Sequence, residues 1–288
     1  MEFRLISGQF SATVSDHGAE VISLMDHQLN KEYIWQGDPS YWEGQAPFLF
    51  PLVGRMPNGI LRIRGKEYPM PLHGFARNST FTVCASTENS VVMTLCNNEE
   101  TERMYPFAFQ LTCEFVLEGN VLTVKRTVEN RTKEPMPFCI GEHFGFNMPF
   151  DGRSITDYHL RLLQKETVPI YRVTENFNLS EPEPFFENGD TIPLDPHTFD
   201  HDALIFCDLK KNGAAVENDA DPHGAAVFAP DFGQLAFWSM PNAPFVCIEP
   251  WCGHISPPGT SIDLEQRAHV LTLAPESSRS FTTTVTVY

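Results

Sequence analysis

The chain predicts an all-β protein, a sandwich or a barrel, and three observations carry that reading. Apolar stretches of strand length recur along its 288 residues. Its 23 prolines and 18 glycines are scattered between them as turn signals. Long helical periodicity is missing, and the best helical candidate is a turn or two around Asp38–Gly44. Short apolar runs bounded by turn residues are what packed antiparallel sheets require. A single β domain covering residues 1–288 is within the usual size for such folds.

In order, strands are expected at Phe10–Val14, Val21–Leu24, Phe81–Val83, Val91–Leu95, Phe109–Leu117 and Val121–Val128, then at Ala203–Phe206, Leu235–Trp238, Val270–Leu273 and Phe281–Val287. Alternation is cleanest in Val121–Val128 and in the closing Thr284–Val287. Glu118-Gly119-Asn120 should join two strands as a hairpin. Pro57-Asn58-Gly59 and Arg64-Gly65-Lys66 should turn the chain on either side of Ile60–Ile63. The acidic, proline-rich stretch Glu175–Pro196 and the segment Lys210–Gly224 read as long surface loops.

Charge narrows the function classes. Twenty Lys and Arg against 37 Asp and Glu leave a net charge of −17, which repels phosphate backbones and anionic membranes. Nucleic-acid and membrane-surface partners are therefore not expected, and no run approaches the length of a membrane span. The seven cysteines form no CxxC pair or zinc spacing, so they read as free thiols in a reducing compartment. The N-terminus lacks a charged-then-apolar leader pattern, and a cytoplasmic location is expected.

Three stretches can carry chemistry. In Phe245–Gly253 a buried strand ends on a carboxylate, with Phe245, Cys247, Glu249 and Trp251 on one face and Val246 and Ile248 on the other. A carboxylate among large apolar groups is costly unless something uses it. In Gly141–Asn147, His143 shares a strand face with Gly141 and Gly145, two positions without side chains, which would leave room for a ligand. In Leu72–Arg77 a glycine directly follows His73, so the backbone there can approach another group closely. A His and a Glu converging on one sheet face suit general acid–base catalysis. Two histidines and a carboxylate could equally bind a metal, although no local metal motif such as His-Glu-x-x-His is present. Neither a Gly-x-Ser-x-Gly elbow nor a glycine-rich phosphate loop occurs.

Four motifs in one order then resemble the aldose 1-epimerase (galactose mutarotase) family, and within it the LacX-like branch. They are Ala46–Arg55, His73-Gly-Phe-Ala-Arg77, Gly141–Asn147 and Ile248-Glu-Pro-Trp-Cys-Gly253. The resemblance runs nearly end to end. It implies a large antiparallel supersandwich and interconversion of the α and β anomers of an aldose. It implies that Glu249 is the general base on the anomeric hydroxyl and His143 the general acid on the ring oxygen. Arg55 and His73 match sugar-binding positions, Arg77 matches a substrate-binding position that helps hold the phosphate in members acting on hexose 6-phosphates, and Asp202 matches a sugar-binding aspartate, with Asp200 as the competing alignment. Neither metal nor cofactor is implied, because only protons move, and the expected partner is a small-molecule sugar.

One departure is Glu142, which stands where many members carry glycine and which alternation sends to the opposite face. Residues 55–77 hold Arg55, Arg62, Arg64, Lys66 and Arg77 against one acid, Glu67. That basic island keeps a sugar phosphate open as an alternative substrate. A carbohydrate-binding protein that has lost turnover, and a metal-dependent enzyme using His73, His143 and a carboxylate, are the alternatives from other classes.

Overall fold

A computed structural model describes residues 1–150, 154–174, 179–253, 263–267 and 269–288. Strand covers about 53% of the chain and helix about 6%, which makes the protein all-β. Among the described residues the sole α-helix is one turn, Glu99–Glu102, capped by Asn98, whose side chain accepts from the Glu100 and Thr101 N–H groups.

The larger sheet has nine antiparallel strands. At its centre Phe109–Glu118 and Val121–Asn130 pair across the expected hairpin, with Leu111 opposite Val128, Phe115 opposite Val124 and Leu117 opposite Leu122. Their burial alternates residue by residue, so the two-residue period sends one row into the core. Ser278–Val287 flanks the hairpin on one side and Ser90–Cys96 on the other. A six-stranded sheet packs against this one. Phe50 meets Phe109 at 5.4 Å between ring centroids, and Phe138 and Phe232 meet Phe281 at 6.2 and 5.5 Å. A four-stranded antiparallel sheet is formed by the N-terminal strands between Glu2 and Glu32. The result is a large antiparallel β-sandwich.

The six-stranded sheet positions the site. Its Phe245–Cys252 strand is buried at all eight positions, as expected for a strand covered on both faces. It lies between Gln234–Trp238 on one side and two short strands, Ile140–Glu142 and Phe144–Asn147, on the other. Val246 and Ile248 enter the core between the sheets. Phe245 and Cys247 turn outward to a separate cluster with Trp35 and Ala243, edged by Trp42 and Trp238.

Two loop expectations are corrected. Lys210–Gly224 is no long loop. Gly213–Asn218 and Asp221–Phe228 form a hairpin inside the nine-stranded sheet, with Ala214 opposite Val227 and Val216 opposite Ala225. Its polar turn outweighs short alanine-rich strands in composition, which hides them. In Glu175–Pro196, residues 175–178 lie outside the described residues, and the remainder carries Gly189–Pro193 as an edge strand of the nine-stranded sheet. Around Asp38–Gly44 the chain makes one turn, with the Tyr41 and Trp42 N–H groups donating to the Asp38 carbonyl. All seven cysteines are free, with Cys84 and Cys96 exposed and the others buried. No described helix is long and apolar enough to cross a membrane.

Candidate active site

Strand register brings His143 and Glu249 together. Gly141 pairs with Trp251 and Phe144 with Ile248, so without any slip His143 falls opposite Glu249, and Glu142 opposite Pro250. Proline has no N–H for the ladder, which accounts for the break between the two short strands at this point. Residues opposite each other share a face. The His143 Nε2 and a Glu249 carboxyl oxygen accordingly stand 3.1 Å apart, both side chains buried.

Gly141 and Gly145 are not openings for a ligand, which corrects the sequence reading. A Cβ at Gly141 would meet the Trp251 ring at 2.7 Å, and one at Gly145 would meet the Gln45 carbonyl at 2.9 Å and the Trp42 ring at 3.0 Å. The glycines make room for tryptophans. Trp42, held at the turn after Asp38, stacks on the His143 imidazole at 4.7 Å and 30°, while Trp238 meets it edge-on at 5.8 Å. The four tryptophans are plain in the sequence. Their contact with His143 depends on a turn that brings residue 42 over residue 143.

The His73 loop is built by close approach, as the glycine suggested. Gly74 has φ +77, and a Cβ there would lie 2.1 Å from the Phe50 carbonyl, which accepts from the Phe75 and Ala76 N–H groups. His73 takes the left-handed conformation at φ 61 and donates its own N–H to the Gly54 carbonyl. Its Nδ1 accepts from the Gly54 N–H at 3.1 Å, so the proton of the neutral ring sits on Nε2. Burial, with the Arg77 and Arg55 charges added, pushes His73 down to about 3, so this Nε2–H is a neutral donor at physiological pH.

A cavity of about 380 Å³ collects these groups. Arg55, His73, Arg77, His143, Asp202 and Glu249 all line it, with Trp42, Trp238 and Trp251 among its walls. Arg55 is exposed at the rim. Arg77 is half-buried in the turn Ala76–Asn78 and makes no hydrogen bond or ion pair among the described residues. Burial lowers its pKa, with Glu20 opposing. Asp202 (φ 66) accepts from the Ala203 N–H at 2.7 Å and faces the cavity. Asp200 is outside it and bonds His197 Nδ1 at 2.8 Å. Met240 and Val173 also line the cavity, from segments the sequence did not single out.

The two facing groups are driven toward their neutral forms. Burial, then His73 and Arg77, hold His143 well below the ordinary histidine value. Burial, then the Asp202 charge, push Glu249 well above the ordinary carboxyl value. The Trp251 indole favours the ionised carboxylate, though its N–H makes no hydrogen bond of good geometry. His143 Nδ1 is buried with no hydrogen-bond partner. Cys247 lies beneath the pair, its thiol also pushed up by burial and by Glu249. His143, Cys247 and Glu249 offer donor atoms within 4.8 Å of one another, so the grouping with metal-like geometry takes in Cys247 and leaves out His73. Glu142 points to the other face, as alternation requires, and is ion-paired to Arg126 in the core.

Comparison with known proteins gives a consistent picture. The family model described as aldose 1-epimerase matches residues 1–269. The plasmid LacX protein of Lactococcus lactis subsp. lactis is 33% identical over 281 residues, covering 93% of this chain and 94% of that protein. A galactose mutarotase related enzyme from Lactobacillus acidophilus superposes with a TM-score of 0.93 at 31% identity, covering 100% of this chain and 97% of that one. A galactose mutarotase-like protein from Lactobacillus casei gives 0.92 at 28% identity with complete coverage of both chains. A family model spanning nearly the whole chain, with relatives alike from end to end, establishes that this chain belongs to the aldose 1-epimerase family.

Proposed function

We propose that the protein interconverts the α and β anomers of a free aldohexose, with Glu249 and His143 exchanging protons with the sugar. The observation that carries this is the 3.1 Å contact between their side chains on the cavity wall. Mutarotation moves a proton off the anomeric hydroxyl and another onto the ring oxygen. Both oxygens are bonded to the same carbon, so an acid and a base that serve them must both reach one small region, and two neighbouring groups on one cavity wall meet that need.

The pair works with a single proton. In its charge-separated form Glu249 is a carboxylate and His143 an imidazolium. Glu249 takes the proton from the anomeric hydroxyl while His143 Nε2–H protonates the ring oxygen. The bond from C1 to the ring oxygen breaks, and the anomeric oxygen becomes the aldehyde carbonyl. The pair is then neutral, the form that burial favours, so the dry setting pulls the cycle toward the open chain. Rotation about C1–C2 followed by the reverse transfers closes the ring on its other face. The Trp42 face beside His143 favours the imidazolium through the ring quadrupole and keeps the charged form within reach.

In this reading the His73 Nε2–H, Arg55 and Arg77 donate to sugar oxygens, and Asp202 accepts from hydroxyls. Protons alone move, so no cofactor enters. A hexose phosphate is the second reading, favoured by the Arg77 guanidinium that has no partner among the described residues. The Asp202 carboxylate on the same cavity weighs toward the uncharged sugar.

The test is anomer exchange against a buffer blank with glucose, galactose and glucose 6-phosphate. Acceleration that His143→Asn and Glu249→Gln each remove from a folded protein supports the assignment. Absence of acceleration with every sugar, alongside detectable binding, would leave a sugar-binding sandwich instead.

A further inference from the structure

On the core side of the strand that carries His143 lies a second buried ionic pair, which the proposed reaction does not use. Arg126 and Glu142 are each 1% exposed. The guanidinium is bidentate, with Nε to one Glu142 oxygen at 2.8 Å and Nη2 to the other at 3.1 Å. Nη1 donates to the Ala19 carbonyl at 3.1 Å. The Phe48 and Phe115 rings lie 4.4 and 4.8 Å from the guanidinium carbon. Arg126 belongs to Val121–Asn130 of the nine-stranded sheet and Glu142 to Ile140–Glu142 of the six-stranded sheet, so the pair bridges the sandwich.

Stability alone gives no reason for such a pair. Desolvating two charges costs about as much as their attraction returns, and well-packed apolar replacements are often neutral or stabilising. Its location is more informative. Glu142 is the last residue paired to Phe48–Leu49, and it faces Pro250, which has no N–H to offer the ladder. His143 follows at the break between strands, where pairing to Phe48–Leu49 has ended and pairing to Ile248 has yet to resume. Phe48, which faces Glu142 across that short pairing, is also a wall of the guanidinium slot.

We infer that Arg126 and Glu142 form a brace that positions His143 from behind, setting the imidazole against Glu249 by fixing the backbone one residue before it. The inference rests on the acid–base reading above. It assigns both residues a positioning role, since neither touches the cavity. The brace acts through position rather than charge, because the groups that shift His143 are its burial, His73 and Arg77, with Glu142 absent from them.

The discriminating variant is the apolar double Arg126→Met, Glu142→Leu, which removes both charges and leaves neither stranded. It should fold with a Tm near or above wild type, while kcat for anomer exchange falls about tenfold or more and KM moves less than about twofold. Arg126→Lys keeps the charge but loses the fork and should lower kcat in the same direction. The position of the pH limbs should not move in either variant. The ring-nitrogen and ring-proton NMR signals of His143 should shift or broaden in both variants, a readout that needs no turnover. A folded double variant with wild-type kcat and an unchanged His143 signal overturns the brace. If the wild type itself accelerates no sugar, the acid–base reading fails, and the His143 signal alone then judges the positioning.

Discussion

Glu142 and His143 are neighbours in the chain, yet each belongs to a buried polar pair of opposite character. On the core face, Glu142 has a bidentate partner, and Arg126 is held further by a backbone carbonyl and two aromatic rings. Burial alone would lower Arg126, yet the facing Glu142 carboxylate drives it well above its ordinary value. On the cavity face, His143 and Glu249 share a single polar contact, and they have an orphaned Nδ1 and pKa values displaced toward neutrality. Burial is the same on both sides of the strand, so satisfaction makes the difference. A fully bonded pair has nothing left to exchange, whereas an under-satisfied pair can pass a proton to a ligand that completes it.

The largest expected effect follows from the cavity side. Glu249→Gln and His143→Asn should each reduce kcat by about 10³-fold, the range for losing a positioned acid or base. Circular dichroism should report an intact sandwich in both. Retention of wild-type kcat in either variant would erase the distinction between the two faces.

The core side should respond in stability. Glu142→Gln or Arg126→Met strands one buried charge and should cost about 3–5 kcal/mol in urea unfolding. Glu249→Gln should run the other way at neutral pH. Its folded pKa is raised, so above about 4.5 the native state holds a proton that the unfolded chain has released, and stability falls as pH climbs toward the folded value. Glutamine removes that cost, so the variant should be at least as stable as wild type, and its advantage should widen with pH.

Histidine contributes the next effect, with the opposite slope. His73 is depressed to about 3, and His143 is also depressed, so below about 6.5 the unfolded chain binds protons that the native state refuses. Stability should therefore fall as pH drops from about 6.5 toward about 3. His73→Gln should flatten that slope in pH-dependent melting. A slope as steep as wild type would show that His73 titrates normally.

Smaller still is the contrast between two aspartates. Asp202→Ala should raise KM about tenfold through loss of a charge-assisted hydrogen bond to the sugar. Asp200→Ala should leave KM unchanged, since its carboxylate is engaged with His197 outside the cavity. Equal KM changes would return the choice between the two alignments.

Much of the sandwich was legible because alternation is a local property. Val121–Val128 and Phe281–Val287 declare their buried rows without reference to any partner. The Gly213–Phe228 hairpin was hidden because its strands are short and alanine-rich around a polar turn. Alternation also set Glu249 apart from Val246 and Ile248, and Glu142 apart from His143. That His143 and Glu249 stand directly opposite depends on register between distant strands, which local periodicity does not contain. The glycines beside His143 show the same limit. Sequence reveals that two side chains are missing there, and only packing reveals that Trp251 and Trp42 occupy the space. The ion pair behind His143 was only half legible, since parity puts Arg126 in the inward row with Leu122, Val124 and Val128, while its pairing with Glu142 depends on how two separate sheets pack.

The most direct measurement is saturation-transfer NMR of glucose and galactose anomer exchange, run in parallel on wild type, Glu249→Gln and Glu142→Gln with a thermal melt of each. Glu249→Gln is expected to abolish exchange with its Tm held or raised. Glu142→Gln is expected to lower Tm sharply and retain measurable exchange below its melting temperature. Exchange that survives in Glu249→Gln, or a loss of exchange and stability by the same amounts in both variants, would contradict the claim that the two faces of this strand divide chemistry from support.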